Sequence, residues 1–362
     1  MSETPLEWPP VDPETQRALI EFLANRGVDP DDIADALRED SLWEVTTESL
    51  LATRDDLTLD ELGTRAGLTP DQLGRVLRAL GLHDDESFST EDVVLMTAGA
   101  ETFKLFRDEE AALRLLRVIG SSIRRVAEAS VAAYIATVEK PLNDADASVL
   151  THAQAQAVGI AGAGRFAQGF PHLFRRHLRD VIRSGRVSRV SSSDYTTARL
   201  TVGFVDLVGF TSLAQELTPA GLSELLDDFE DRSFDTVAEH GGQLVKHIGD
   251  EIMFVVLEPH AACEIALSLV DAFREEESTV TPRGGIATGD LLTREGDYYG
   301  VEVNLAARLA DIAVPQEILV SVDTKRLTEK DADDGVFAFE PAGRRALKGF
   351  SAPVEVFSLS RA

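Results

Sequence analysis

The chain has 362 residues, 44% of them hydrophobic, with 63 acidic against 35 basic side chains and a formal net charge of −28. That length suggests two domains at the usual ~100–200 residues each, and so negative a surface repels nucleic acid and anionic lipid. A single cysteine, Cys263, excludes an intramolecular disulfide framework and fits a reducing cytoplasm. The amino terminus, MSETPLEWPPVDPE, lacks the basic and apolar regions of a signal peptide. No apolar run approaches the ~20 residues that span a bilayer. The expectation is a soluble cytoplasmic protein.

Residues 1–13 read as a loose lead-in. From there to residue 185 the periodic segments are helical, among them Thr15–Asn25, Asp31–Glu39, Asp60–Ala66, Pro70–Ala79 and a long run from Glu109 to Glu139. In that run Leu113, Leu116, Ile119, Ile123 and Val126 step by three or four, which predicts one buried face. The stretch LTLDELGTRAGLTPDQLGRVLRALGL (57–82) has the rhythm of a helix-turn-helix, with a turn at Ala66-Gly67-Leu68, an N-cap at Thr69 and Pro70 opening the second helix. Such a pair would set Gln72, Arg75 and Arg78 in a DNA groove. Residues 1–164, however, carry 31 acidic against 14 basic side chains, and Asp84-Asp85-Glu86 follows at once. Phosphate contacts dominate affinity for DNA, so a helical pair packed inside a regulatory domain is the expectation, with no nucleic-acid partner. His83, His152, His172 and His177 are the candidates in this half for a response to pH, histidine being the residue type suited to that role. The glycine-rich run AQAVGIAGAGRFAQGF (155–170) either lets helices approach closely or leaves room for an apolar ligand, a lipid or another small molecule.

Charge reverses at 165–189, where Arg165, Arg175, Arg176, Arg179, Arg183, Arg186 and Arg189 face one acid, Asp180. On a helix from His172 to Arg183 these arginines oppose Leu173, Phe174, Leu178 and Val181–Ile182, a basic face suited to an acidic partner within the chain. The polar, serine-rich SGRVSRVSSSD (184–194) is a flexible joint by composition. The division is therefore a helical domain over 1–185, a linker over 186–198 and a second domain over 199–362.

Beyond the joint, LTVGFVDLVGFTSL (200–213) predicts a buried strand through Leu200, Val202, Phe204 and Val205 that runs into Asp206, followed by a turn towards a helix. Thr218 and Pro219 form an N-cap and first helical residue, with Leu222, Leu225, Leu226, Phe229, Phe234 and Val237 on the face turned to the sheet. In GGQLVKHIGDEIMFVV (241–256) two apolar runs flank the turn pair Gly249-Asp250, a hairpin signal. A helix from His260 to Arg274, a strand through Arg283–Thr288, a short hairpin, a helix over Val301–Ile312 and strands at 317–321 and 354–359 complete the series. Strand–helix–strand–strand–helix–strand is a ferredoxin-like α/β sandwich with additions, so the fold class is α+β. That topology brings Asp206 and Asp250 together at one edge of the sheet. Either acid alone reads as a turn residue; two carboxylates on adjacent strand ends suit divalent cations on a triphosphate.

FVDLVGFT, KHIGDE and GDYYGVEVNLAARL (296–309) resemble, in order, signature stretches of the class III nucleotidyl cyclases, and the likeness spans Arg199 to Leu359. The family resemblance implies conversion of ATP to 3′,5′-cyclic AMP and pyrophosphate, with two divalent cations, Mg²⁺ or Mn²⁺, on Asp206 and Asp250. It implies a phosphate contact for Arg283, ribose orientation by Asn304, charge stabilisation by Arg308 and, more weakly, a phosphate contact for Lys348. Lys246 and Asp297 match the adenylyl type: lysine donates to adenine N1 and aspartate accepts from N6, a pattern that guanine reverses. The family divides each site between two catalytic domains, and one such domain with the full residue set implies a homodimer. The helical half then resembles the controlling domain of certain bacterial cyclases, some responsive to pH or lipids. The competing readings are a guanylyl cyclase, and a nucleotide-binding regulator whose helix-turn-helix half binds DNA.

Overall fold

The computed structural model describes residues 12–39, 42–51, 57–83, 88–106, 108–189, 197–274, 280–331 and 335–362. Most of the expected lead-in, the Asp84–Glu86 acids and linker residues 190–196 lie outside that set. The chain divides into two compact units after Arg175.

The first unit is helical: α1 (Pro13–Ala24), α2 (Pro30–Glu39), α3 (Leu42–Leu51), α4 (Leu59–Ala66), α5 (Pro70–Leu80), α6 (Thr90–Leu105), α7 (Glu109–Tyr134), a π-helical turn (Ile135–Glu139), α8 (Lys140–Asp144) and α9 (Val149–Ala167). α10 (Phe170–Arg189) starts in it and continues past the division, ending beyond the Arg183 expected from the sequence. Asp12 caps α1, so a structured position falls inside the expected lead-in. α4 and α5 form as the helix-turn-helix rhythm predicts. Thr58 and Thr69 each build a reciprocal capping box, with Glu61 and Gln72, and so satisfy amide donors that a helix start leaves open. Leu62, Leu73, Val76 and Leu77 bury against Met96 of α6 and Leu113 and Leu116 of α7. Arg75, which only the competing DNA-binding reading would set in a groove, reaches Glu109 (2.8 Å) and Glu110 (2.6 Å) of α7.

One expectation for this half is corrected. The periodic face of α7 is buried only at Leu113 and Leu116, while Ile119, Ile123 and Val126 stand exposed. α5 covers the first turns of α7 and ends at Leu80, beside Gly120; periodicity records amphipathicity but not how far a covering helix extends. On α10 the apolar Leu173, Phe174, Leu178, Val181 and Ile182 are exposed, as are Arg175, Arg176, Arg179 and Arg183.

The second unit carries β1 (Thr197–Val208), α11 (Phe210–Glu216), α12 (Pro219–Glu239), β2 (Gln243–Ile248), β3 (Glu251–Val256), α13 (Pro259–Arg274), β4 (Thr281–Arg294), β5 (Asp297–Tyr299), α14 (Val301–Ile312), β6 (Ile318–Ser321), α15 (Val322–Asp331), β7 (Phe337–Arg345) and β8 (Val354–Arg361). Among the described residues the sheet runs β2-β3-β1-β4-β6-β8-β7, with β5 paired to β4. The segment β4-β1-β3-β2 is antiparallel throughout and is the ferredoxin-like core. β6 then adds in parallel to β4, and the β7–β8 hairpin extends the edge. The sequence reading missed β7 and α15.

Alternation along β1 sorts its side chains between the two faces. Val205 and Leu207 pack with Phe229 and Val237 of α12 and Ile265 and Leu269 of α13. Val202 and Phe204 pack with Ala306 and Ala310 of α14. By the same parity Asp206 faces the α14 side. α14 approaches β4 so closely that a Cβ on Gly285 would fall 2.2 Å from the carbonyl oxygen of Ala306 and 2.4 Å from the nitrogen of Ala310. The expected sheet-facing role of Phe234 is corrected: it is 62% exposed, and Ser233 occupies the buried position four residues after Phe229.

Candidate active site

Asp206 lies on β1 opposite Glu251 of β3 on one side and Arg283 of β4 on the other. Gly249, at φ +67°, makes the hairpin turn that a side chain would strain, and it delivers Asp250 to the same end of the strands. There the carbonyl of Asp250 accepts from the amide of Leu207 at 3.2 Å. The acids therefore meet at the ends of two interior strands, and not at the lateral edge of the sheet, which β2 occupies.

Arg283 uses its fork on both sides of this corner. Its Nε and Nη2 donate to Oδ2 of Asp206 at 3.0 and 2.8 Å, and Nη1 donates to the carbonyls of Asp311 (3.0 Å) and Ala313 (3.2 Å) at the end of α14. Burial raises the Asp250 carboxyl above its ordinary range, and the charge of Asp206 adds to the rise while Arg283 opposes it. Glu251 is pushed up to about 7 by burial and by the charges of Asp206, Asp311 and Asp250. Sequence reading passed over Glu251 and Asp311; the only signal for the first was its place beside Asp250.

Lys246 lies opposite Met253 on β2, hence on the α14 face. Its ammonium meets Oδ2 of Asp297 at 2.5 Å, although 51 residues separate them. Oδ1 of Asp297 accepts from the amide of Tyr298 at 2.9 Å, and the Tyr298 hydroxyl donates to Oε1 of Gln243 at 3.2 Å. Burial and the neighbouring Asp297 charge raise the Tyr298 phenol.

Asn304 is exposed on α14, and Arg308 follows one turn later on the same side. Nη1 of Arg308 meets Oδ2 of Asp311 at 2.5 Å. Lys348 is exposed on the turn after β7, and among the described residues no hydrogen bond ties it to the other candidates. The structure thus forms two constellations on one face: Asp206, Asp250 and Arg283 at one corner, and Lys246 with Asp297 at another. α14 carries Asn304 and Arg308.

The carboxylate pair is a fitting donor set for hard divalent cations. Two like charges near enough to raise one pKa gain from a cation between them, and such ions take one or two protein carboxylates with phosphate oxygens completing their shell. Among the described residues no cluster of three or more metal-ligating side chains is assembled.

Comparison with known proteins shows the family. A family model of the adenylate and guanylate cyclase catalytic domain matches residues 193–361. An adenylate cyclase of Streptomyces coelicolor is 32% identical over 70% of this chain and 67% of its own length. A pH-sensitive adenylate cyclase of Mycobacterium tuberculosis is 27% identical over 95% of this chain and 87% of its own. The crystal structure of the adenylyl cyclase CyaB from P. aeruginosa is 29% identical, with a TM-score of 0.41, and covers 46% of this chain and 96% of that one. The chain belongs to the class III nucleotidyl cyclases. It is an enzyme of the lyase class, and these named relatives are adenylate cyclases. No helix among the described residues is long and apolar enough to cross a membrane.

Proposed function

We propose that the chain converts ATP to 3′,5′-cyclic AMP and pyrophosphate in a homodimer whose two sites each draw on both subunits. The observation that carries this reading is the convergence of Asp206 and Asp250 on the sheet face where Lys246 and Asp297 also meet. The reaction forms a bond from the ribose 3′-oxygen to the α-phosphorus and breaks the α–β bridging bond. Pyrophosphate leaves, and the hydroxyl proton passes to water or phosphate, since sequence and motif place no histidine as a base. Asp206 and Asp250 would hold two divalent cations, Mg²⁺ or Mn²⁺, which when bound supply Lewis-acid activation of the hydroxyl and neutralise the leaving group.

Lys246 donates to adenine N1 and Asp297 accepts from N6, so both residues read the adenine edge. Asn304 orients the ribose, and Arg308 leaves Asp311 to stabilise charge on the phosphates. Arg283 fixes the orientation of Asp206, and the one N–H of Nη2 not already engaged would make its phosphate contact. Lys348 reaches a phosphate from its exposed turn. Residues 1–185 act as the controlling domain, joined through 186–198 to the catalytic domain at 199–362. The relative named for pH sensitivity supports a pH-responsive control.

The test is cyclic AMP formation by the full chain with ATP and with GTP, each with Mg²⁺ and Mn²⁺. Asp206→Ala and Asn304→Ala chains are each inactive alone. Mixed, they regain activity by assembling one intact site per dimer, at about a quarter to a half of the wild-type rate. No recovery on mixing excludes shared sites, and preference for GTP excludes the adenine reading.

A further inference from the structure

We infer that Tyr298 is a positioning residue for base recognition: its hydroxyl, anchored on Gln243, holds β5 against β2 so that Asp297 stays on Lys246. The inference rests on the proposed reading of that pair as the adenine contact.

The two halves of the pair come from strands that are not neighbours. β2 is an edge strand, β5 pairs with β4, and β3 and β1 lie between them in the sheet order. β5 is three residues long, with three register pairs to β4, and it follows a turn whose Glu295 and Gly296 both have positive φ. So short a strand on so tight a hinge has little of its own to fix its position across the sheet face. The Lys246–Asp297 ion pair cannot supply that fixity. Its side chains are 39% and 28% exposed, and such pairs are weak and screened by salt. A lysine reaches its partner on a flexible four-carbon stem.

Tyr298 provides what the ion pair lacks. Its ring packs against the cluster that includes Val202, Met253 and Val255. Its amide takes Oδ1 of Asp297 at 2.9 Å, leaving Oδ2 to the lysine, so the carboxylate plane is set from both oxygens. Its hydroxyl then reaches Gln243, on β2 three residues before Lys246. β2 and β5 are tied at two points, a part-buried ion pair and an exposed hydrogen bond whose donor ring is packed on the sheet. Removing the second tie leaves the ion pair free to pivot, which affects the fit of the base and not the metal corner.

Full-length Tyr298→Phe, Gln243→Leu and Gln243→Glu decide the matter. Tyr298→Phe and Gln243→Leu each raise KM for ATP about three- to fivefold, the worth of one net hydrogen bond, with kcat nearly unchanged. Both reduce the ratio of kcat/KM for ATP over GTP, and the double variant is no worse than either single one. Gln243→Glu keeps an acceptor for the phenol and restores the wild-type values. Binding of 3′-deoxy-ATP, which cannot cyclise, is measured alongside and weakens in step with KM. Unchanged KM and unchanged 3′-deoxy-ATP binding in Tyr298→Phe overturn the inference. So does a parallel fall in kcat and thermal stability at a constant ATP:GTP ratio, the mark of a merely structural residue. If the wild type forms no cyclic nucleotide, the proposed function fails, and 3′-deoxy-ATP binding still decides the role of Tyr298.

Discussion

Gly285→Ala is the sharpest test of how the fold positions the site. The new methyl would lie 2.2 Å from the Ala306 carbonyl, 2.4 Å from the Ala310 nitrogen and 2.6 Å from the Leu309 Cβ. Two of these atoms are helix backbone, and none is the tip of a flexible side chain, so α14 must lift from β4 as a body. Overpacking of this kind costs about 1–3 kcal/mol, and with backbone on the far side the upper figure applies. For a domain of this size, about 3 kcal/mol lowers the midpoint by roughly 6–12 °C. Activity falls further than stability, because α14 carries Asn304 and Arg308 and a shift of about 1 Å in a positioned group costs on the order of a hundredfold. Scanning calorimetry and cyclic AMP assays of the full chain read both effects. Gly164→Ala is the control: nothing lies within 4 Å of its built Cβ, it sits in the exposed interior of α9, and it raises stability by about 0.5–1 kcal/mol. A Gly285→Ala chain with an unshifted midpoint and full activity would refute the close packing of α14 on β4.

Two further outcomes follow from buried polar groups. Thr288 joins the hydroxyls of Thr201 and Thr324 at 2.9 Å each, inside the sheet layer; Thr288→Val keeps the shape, takes away the partner of Thr201 while Thr324 keeps Ser321, and costs about 1–3 kcal/mol, read as a lower urea midpoint at constant m-value. Cys263 is fully buried and its thiol is pushed up from 9.0 to about 12, chiefly by burial, so the native chain resists thiol reagents that label it on unfolding. The unfolded chain loses that proton first as pH rises, so stability is unaffected by this group below 9.0 and declines between 9.0 and about 12, as alkaline unfolding curves of wild type against Cys263→Ala show.

Local chemistry was legible where one short stretch decides the conformation. Thr218 and Pro219 start α12, Gly249 and Asp250 turn the β2–β3 hairpin, and Thr69 and Pro70 open α5, each at the position expected. The family motifs singled out Asp206, Asp250, Lys246 and Asp297, and the pairing of Lys246 with Asp297 appears in the fold across 51 residues. What failed depended on distant contacts. The stripe Ile119–Ile123–Val126 has helical rhythm, but the rhythm does not say where α5 stops. Phe234 was assigned to the core by its apolarity, yet the register of α12 is set by Phe229 and Val237, which bury Ser233 between them. Arg283 was legible as an arginine on a strand; that it grips Asp206 and two carbonyls of α14 is a property of the packed sheet and helix. Gln243 lies in none of the family motifs and Tyr298 carries no role in the third of them, and only the folded chain shows that they touch.

Arg283 also acts as a mooring. A cation seated on the last carbonyls of a helix is electrostatically favoured there, and this one fastens the tail of α14 to the carboxylate of Asp206. Whatever draws Asp206 away therefore slackens the rope on the helix that carries Asn304 and Arg308.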